Sequence, residues 1–484
     1  MKKKPFDFNR RSFLKATGAA SAALGGAGLG LFGVQSGRDP MSYSGAENLQ
    51  GATQHFNRKK YQVDSPTYEK VGETSRIDAR TEVIFGRMGR LRHWNEEKGL
   101  ESLDPVTRKY YEVHPEDLEL DLYLRKAIFP NRRKDNAEYG DEFILAEAWS
   151  HAMGAVWPQG YNTPPAESDF PHPRYGRQTP LELQDPGKTA KLIKKMAHEF
   201  GSTLVGICKL NPDWVYRHAM PGRGFDVEAP LEVPKHWEYA IAVGTPMEWD
   251  PFYANPNYGT SHDAYAKSRI VAFRLAAFIK ELGYAARAHT PGTDYDLAVP
   301  PILIDAGLGE QGRHSVVITP ELGSNFRPAI VTTNIPMAVD KPIDFGVQDF
   351  CKTCKICAEQ CPSGAITTGD KEVIRGYKRY QLDISKCHNF WYSNLGNIGC
   401  RLCVAVCPYS RKSNWLHKTA LQVTANDPTG LTHAGLTGLQ KRFYPAPNAQ
   451  DYYMPSLGGK NASYRKPPWW LRTRDFIKLK GGQS

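Results

Sequence analysis

A chain of 484 residues, 40% hydrophobic, 11% aromatic and 23% charged, has room for two or three domains and is too apolar to be disordered throughout. Its formal charge of +11 suggests a nucleic-acid partner, yet Lys2, Lys3, Lys4, Arg10, Arg11 and Lys15 against Asp7 place +5 of it in residues 1–15. The remaining excess is mild and no Lys/Arg run is interleaved with stacking aromatics, which argues against nucleic acid.

The leader comes first. Arg10-Arg11-Ser12-Phe13-Leu14-Lys15 precedes a weakly hydrophobic, Gly/Ala-rich stretch over 16–34, and residues 1–38 read as a twin-arginine export signal. So many small residues make a poor spanning helix, and no second run of roughly 18 apolar residues exists, so any membrane association has to come through a partner. Residues 39–187, rich in charge, proline and aromatics, read as a scaffold that shapes a substrate pocket, with helices expected over 117–128 and 141–153.

From residue 188 the pattern sharpens. Leu192, Ile193, Met196, Ala197 and Phe200 form one apolar helical face ended by Gly201, and a buried strand follows over 203–208, with Cys208 as a small apolar side chain. Another strand is expected over 238–245. A long helix over 263–282 carries Val271, Leu275, Phe278, Ile279 and Leu282 inward and stops at Gly283. Strands over 315–319 and 329–333 complete a mixed α/β domain over 188–344. Residues 416–484 read as a wrapping extension, extended from Asn426 onward and containing Trp469-Trp470.

Eight of the nine cysteines crowd between Cys351 and Cys407, in a segment assigned to 345–415. Cys351-x2-Cys354-x2-Cys357-x3-Cys361-Pro362 is the bacterial ferredoxin run, and Cys400-x2-Cys403-x3-Cys407-Pro408 is a second copy whose missing ligand is Cys387, thirteen residues upstream of Cys400. The cysteine before each proline serves the other cluster. Cys351, Cys354, Cys357 and Cys407 therefore hold one [4Fe-4S] cluster, and Cys361, Cys387, Cys400 and Cys403 the other. Zinc ribbons use paired C-x2-C knuckles, and disulfides do not require this spacing. Export of a folded, cofactor-loaded protein by the twin-arginine route reconciles metal-ligand cysteines with a leader.

Ala306-Gly-Leu-Gly-Glu310-Gln-Gly-Arg313-His314, Ile318-Thr-Pro-Glu-Leu-Gly323-Ser-Asn-Phe-Arg327, Thr333-Asn-Ile-Pro336 and Asp340-Lys-Pro-Ile343, leading into Asp349-Phe-Cys351, resemble the reductive dehalogenase family over about residues 190–411. The resemblance implies an α+β fold: a nitroreductase-like domain holding a cobalamin-type corrinoid, fused to a C-terminal two-cluster ferredoxin domain. It implies reductive cleavage of the carbon–halogen bond of a small organohalide in anaerobic respiration. The setting would be the outer face of the cytoplasmic membrane, with a small integral membrane anchor and a membrane electron donor; the oligomeric state stays open, a homodimer being one option. The absence of an Asp-x-His-x-x-Gly corrinoid motif agrees with that family.

Replacing halide by hydrogen takes two electrons and one proton, so an acid is required. The resemblance puts that role on Tyr265, with Arg327 as the cation that steadies its phenolate. Tyr258 is the competing tyrosine. Trp391 is expected as a pocket wall, and Gly307, Gly309, Gly312, Ser324 and Asn325 as corrinoid contacts. His262, His289 and His314 fit no shared ligand set and are expected at the surface or behind the site. Two alternatives are an epoxyqueuosine reductase-like corrinoid enzyme and a non-enzymatic exported iron–sulfur electron carrier.

Overall fold

A computed structural model of the chain describes residues 56–128, 179–183, 185–219, 230–249, 258–291, 295–395, 400–411, 415–427 and 429–443. The leader, the helix expected over 141–153 and Trp469-Trp470 lie outside the described residues. After β1 (Glu69–Lys70) come three short helices, α1 (Ile84–Arg90), α2 (Pro105–Val113) and α3 (Pro115–Tyr123). Asp104 caps α2 by accepting the N–H groups of Val106 and Thr107, while Pro105 occupies the first turn, where its missing N–H costs nothing. The helix expected over 117–128 begins earlier, at Pro115, and gives way to a π turn at Leu124–Ile128.

The central domain runs α4 (Pro186–Glu199), β2 (Leu204–Lys209), β3 (Tyr239–Pro246), α5 (Tyr258–Glu281), β4 (Ala286–His289), α6 (Val299–Asp305), β5 (Glu310–Gln311), β6 (Val317–Ile318) and β7 (Phe326–Thr333). Four of its strands form one sheet in the order β2-β3-β7-β4, antiparallel at every pairing, so the domain is α+β. The period of two along each strand sorts the core. Ile207, Ile241, Val243, Ala329 and Val331 pack against Ile193 of α4 and Val271, Leu275 and Ile279 of α5. Leu204, Cys208, Ala240, Ala242 and Ile330 face the other way, onto Trp214 and onto Ile302 and Leu303 of α6.

Helix α5 ends where the sequence reading placed its stop. Gly283 takes φ 89°, and the N–H of Tyr284 reaches back to the carbonyl of Ile279. The strand expected over 315–319 shrinks to β6, because Ser315 enters a left-handed turn at φ 62°. β4 carries no apolar signature, since Arg287 and His289 point inward; each has a partner there, Arg287 Nη2 donating to Asp296 at 2.9 Å and His289 Nε2 bonding Thr332 Oγ1 at 2.9 Å.

The cysteine segment folds as α7 (Val347–Thr353), α8 (Ile356–Glu359), the hairpin β8 (Glu372–Ile374) and β9 (Tyr377–Arg379), α9 (Ile384–Leu395) and α10 (Leu402–Ala405). β1 pairs with β9, tying the N-terminal region to this segment. A second tie is the buried Arg87 of α1, which donates to Asp121 of α3 at 2.6 Å and to Ser385 of α9 at 2.8 Å. The central domain meets the cysteine segment so closely at Gly323 (φ 58°) that a Cβ there would sit 2.3 Å from the Tyr409 carbonyl oxygen. Two helices follow, α11 (Trp415–Ala425) and α12 (Leu431–Phe443). The second corrects the extended tail expected from Asn426. It docks beside the cysteines, with His433 edge-on to Phe350 and Lys441 bonded to Glu359 at 2.6 Å.

A candidate active site beside two groups of thiols

None of the nine cysteines is in a disulfide. Cys351 in α7, Cys354 after it, Cys357 in α8 and Cys407 beyond α10 line one small cavity, together with His314, Phe350 and Tyr409. Burial pushes the Cys351 and Cys407 thiols up to about 12. Such thiols ionise only when a positive centre takes the charge, so four of them around one cavity suit a metal cluster. Arg313, itself buried, closes this cavity by donating twice to the Cys351 carbonyl and stacking 3.9 Å from the Tyr380 ring centre.

The other four cysteines form a second group. The Cys387 thiol, on α9, is pushed up by burial and then by Cys400, Cys403 and Cys361; the Cys403 thiol is pushed up to about 12 by burial, then by Cys400 and Cys361. Cys403 also acts on Cys357 of the first group, so the two groups adjoin.

Tyr265 lies on α5 between these thiols and the sheet, and strand register is what brings it to Arg327. Arg327 on β7 pairs with Thr245 on β3, and Thr245 Oγ1 donates to the carbonyl of Ala264, the residue before Tyr265, at 2.8 Å. The Arg327 guanidinium then stands 5.2 Å from the Tyr265 ring centre. A second guanidinium, that of Arg401, joins from the loop that carries Cys400. Ser261, one helical turn before Tyr265, accepts from Arg401 Nε at 2.6 Å and from Arg327 Nη2 at 2.9 Å, and directs its own hydroxyl toward Met247 Sδ. Burial by itself would push the Tyr265 phenol up; Arg327 and then Arg401 outweigh it and hold the phenol below its usual range. Tyr265 as a whole residue is half-buried. Tyr295, behind it, donates to the Pro328 carbonyl at 2.7 Å and is held well above the usual phenol range by burial, then by Tyr265.

The remaining expected site residues divide. Trp391 sits on α9 with its ring 5.3 Å from the Arg401 guanidinium carbon. Tyr258 opens α5, and its side chain lies outside the described residues. Asn325 donates from Nδ2 to the Met247 carbonyl at 2.9 Å, while its buried Oδ1 has no hydrogen-bond partner among the described residues. Ser324 is buried and gives its hydroxyl to the Val317 carbonyl at 3.0 Å. The three glycines approach the chain itself: a Cβ at Gly307 would meet the Lys341 carbonyl, one at Gly309 the Ile318 carbonyl, and one at Gly312 the Ile318 side chain. His262, His289 and His314 are all buried, which removes the surface alternative and leaves the one behind the site. Sequence reading missed Arg401 and Ser261. The available signals were Arg401's place inside Cys400-x2-Cys403 and the four-residue spacing of Ser261 from Tyr265.

These features define a class: an α+β sheet domain built onto an iron–sulfur domain of the two-cluster type. The family model for a 4Fe-4S dicluster domain matches residues 350–411. Among curated proteins the chain is 34% identical over 272 residues to the tetrachloroethene reductive dehalogenase of Sulfurospirillum multivorans, covering 49% of this chain and 53% of that protein. A shorter stretch of 119 residues, 22% of this chain and 28% of the relative, is 34% identical to the epoxyqueuosine reductase of Bacillus cereus. Among solved structures, the catabolic reductive dehalogenase NpRdhA in complex with 3-bromo-4-hydroxybenzoic acid shares the fold, at 22% identity and a TM-score of 0.60, over 87% of this chain and 53% of that one. The chain is similar to reductive dehalogenases over about half the length of the curated relatives it matches.

Proposed function

We propose that this chain is the catalytic part of a reductive dehalogenase that replaces halogen by hydrogen on a small organohalide, as the terminal reductase of an anaerobic respiration. The observation that carries the reading is the Tyr265 phenol, held low by two guanidinium groups, one of them flanked by Cys400 and Cys403. The B12-dependent dehalogenation named for a solved relative comes to this chain as part of the proposal. When bound, a cobalamin-type corrinoid supplies a strongly reducing cobalt that delivers electrons to the carbon–halogen bond.

The chain's own residues hold, screen and move the proton. Cys351, Cys354, Cys357 and Cys407 hold one cluster, and Cys361, Cys387, Cys400 and Cys403 the other. Two electrons and one proton convert the carbon–halogen bond into a carbon–hydrogen bond and a halide ion. Tyr265 Oη gives the proton, and Arg327 and Arg401 steady the phenolate left behind. Asn325 Oδ1, buried and unsatisfied among the described residues, fits a group rich in amide N–H such as the corrinoid's side chains. Trp391 on α9, with its ring against the Arg401 guanidinium, is read as a wall of the substrate pocket.

Export by the twin-arginine route, a peripheral position on the outer face of the cytoplasmic membrane, a small membrane anchor, a membrane electron donor and a homodimer belong to the same proposal. The paired arginines of the leader support it, and among the described residues no helix is long and apolar enough to cross a membrane. Tyr265→Phe is expected to retain cobalt and iron and to lose halide release with reduced viologen by a factor on the order of 100. Full turnover in that variant would overturn the assignment, and a purified wild-type protein with two clusters and no cobalt would favour an electron carrier.

A further inference from the structure

Arg313 lies in the turn between β5 and β6 and is 1% exposed. Every acceptor of its guanidinium is a main-chain carbonyl. Nε and Nη2 donate to Cys351 at 3.2 and 3.0 Å, and Nη1 donates to Thr367 at 3.0 Å and to Gly369 at 2.7 Å. The Tyr380 ring lies against it. The buried arginines Arg80, Arg87 and Arg287 each stand against an aspartate instead, at 2.8, 2.6 and 2.9 Å. Among the described residues Arg313 has no such carboxylate. A guanidinium stays charged when buried, and a buried charge offset only by carbonyl dipoles is costly. What Arg313 does face is the cavity lined by Cys351, Cys354, Cys357 and Cys407. Four thiolates around a cubane make an anionic group, which supplies the counter-charge that the chain itself withholds. A purely mechanical role, lacing α7 to the loop over 367–369, would need the donors of this side chain but not its charge.

We propose that Arg313 is the buried counter-charge of the cluster held by Cys351, Cys354, Cys357 and Cys407, and that it raises the reduction potential of that cluster. One electron from a low-potential donor adds one negative charge to the cluster; no bond is made or broken and no proton is taken up. The guanidinium therefore attracts the reduced cluster more strongly than the oxidised one, and burial leaves that attraction poorly screened. Its hydrogen bonds to the Cys351 carbonyl fix it on this cluster, and it bonds to no cysteine of the other group. The proposal rests on the ligand set of the first cluster. It does not depend on the reading of Tyr265 or on any organohalide, so either can fail without the other.

The experiment is an anaerobic redox titration of the cluster-loaded full chain at one fixed pH, followed by electron paramagnetic resonance of the reduced clusters. Arg313→Gln should make one cluster about tenfold harder to reduce, equivalent to a potential lower by about 59 mV for one electron, and should move the other cluster less. Arg313→Lys keeps the charge and loses the fork of donors, and its potentials should stay near those of the wild type. Should Arg313→Gln fail to take up iron, Thr367→Asp decides. Aspartate there can still accept the Gly369 N–H that Thr367 Oγ1 accepts at 3.0 Å, and it sets a carboxylate beside the guanidinium. It should lower the potential of the same cluster. Unchanged potentials in Arg313→Gln, or a fall in Arg313→Lys as large as in Arg313→Gln, would overturn the proposal. Where Arg313→Gln does not load, unchanged potentials in Thr367→Asp would do the same.

Discussion

Glu310→Gln is expected to stabilise the protein at alkaline pH and to leave it unchanged in acid. Glu310 opens β5 with its carboxyl fully buried, and Oε1 accepts the N–H of Phe345 at 2.8 Å and of Val347, the first residue of α7, at 3.2 Å. Burial, then the Asp344 charge, raises this carboxyl from its ordinary 4.5 to about 7, against the pull of those two N–H groups. A folded value above the unfolded one means that the folded protein binds the proton more tightly. The associated stability is complete below 4.5 and is lost as pH rises through about 7. At roughly 1.36 kcal/mol per pH unit, that interval amounts to about 3 kcal/mol. Glutamine keeps the Oε1 acceptor and has no proton to lose. A negatively charged cluster in the neighbouring cavity pushes in the same direction, since it disfavours a second negative charge nearby. Anaerobic thermal melts of the iron-loaded chain should therefore coincide with wild type near about pH 5 and rise above it near about pH 8.5. A variant destabilised equally at both pH values would refute the reasoning, because the ionised carboxylate would then be contributing favourably.

Replacing the buried Arg87 by methionine leaves the Asp121 carboxylate with the Tyr111 hydroxyl but without its charged partner and should cost about 3–5 kcal/mol, read as a lower unfolding midpoint. Replacing Asp121 by asparagine in the same background should recover part of that loss, and strict additivity of the two changes would show that the pair is not coupled. Gly309→Ala places a Cβ 2.0 Å from the Ile318 carbonyl oxygen and is expected to abolish soluble expression. Gly89→Ala on α1 meets nothing within 4 Å and should be neutral or stabilise by about 0.5–1 kcal/mol. Equal yields of the two alanine variants would contradict the close approach of Gly309 to the Ile318 carbonyl.

Local chemistry was legible in the sequence wherever the signal was local. The cysteine spacings imposed two ligand groups because three thiols in a short loop can serve only one cluster, and the structure brings the same two groups of four together. Apolar periodicity placed α4, β2, β3, β7 and most of α5, whose buried faces repeat at helical or strand period. It passed over β4, where Arg287 and His289 are buried by specific partners instead of by apolar character. It likewise passed over α12, whose Leu431, Leu439 and Phe443 stay exposed and blur the face that packs.

The phenol site depended on tertiary structure. Nothing in the order of residues says that Thr245 pairs with Arg327 and anchors Ala264, or that a residue wedged between two cysteine ligands turns back to Ser261. Those contacts join positions up to 140 residues apart, and they arise only when sheet register and the docking of the cysteine segment set the distances. The sequence by itself sorted the cysteines into two groups of four, because ligand spacing is a property of short stretches of chain. Folding decided which charges surround Tyr265, because electrostatic environment is a property of space.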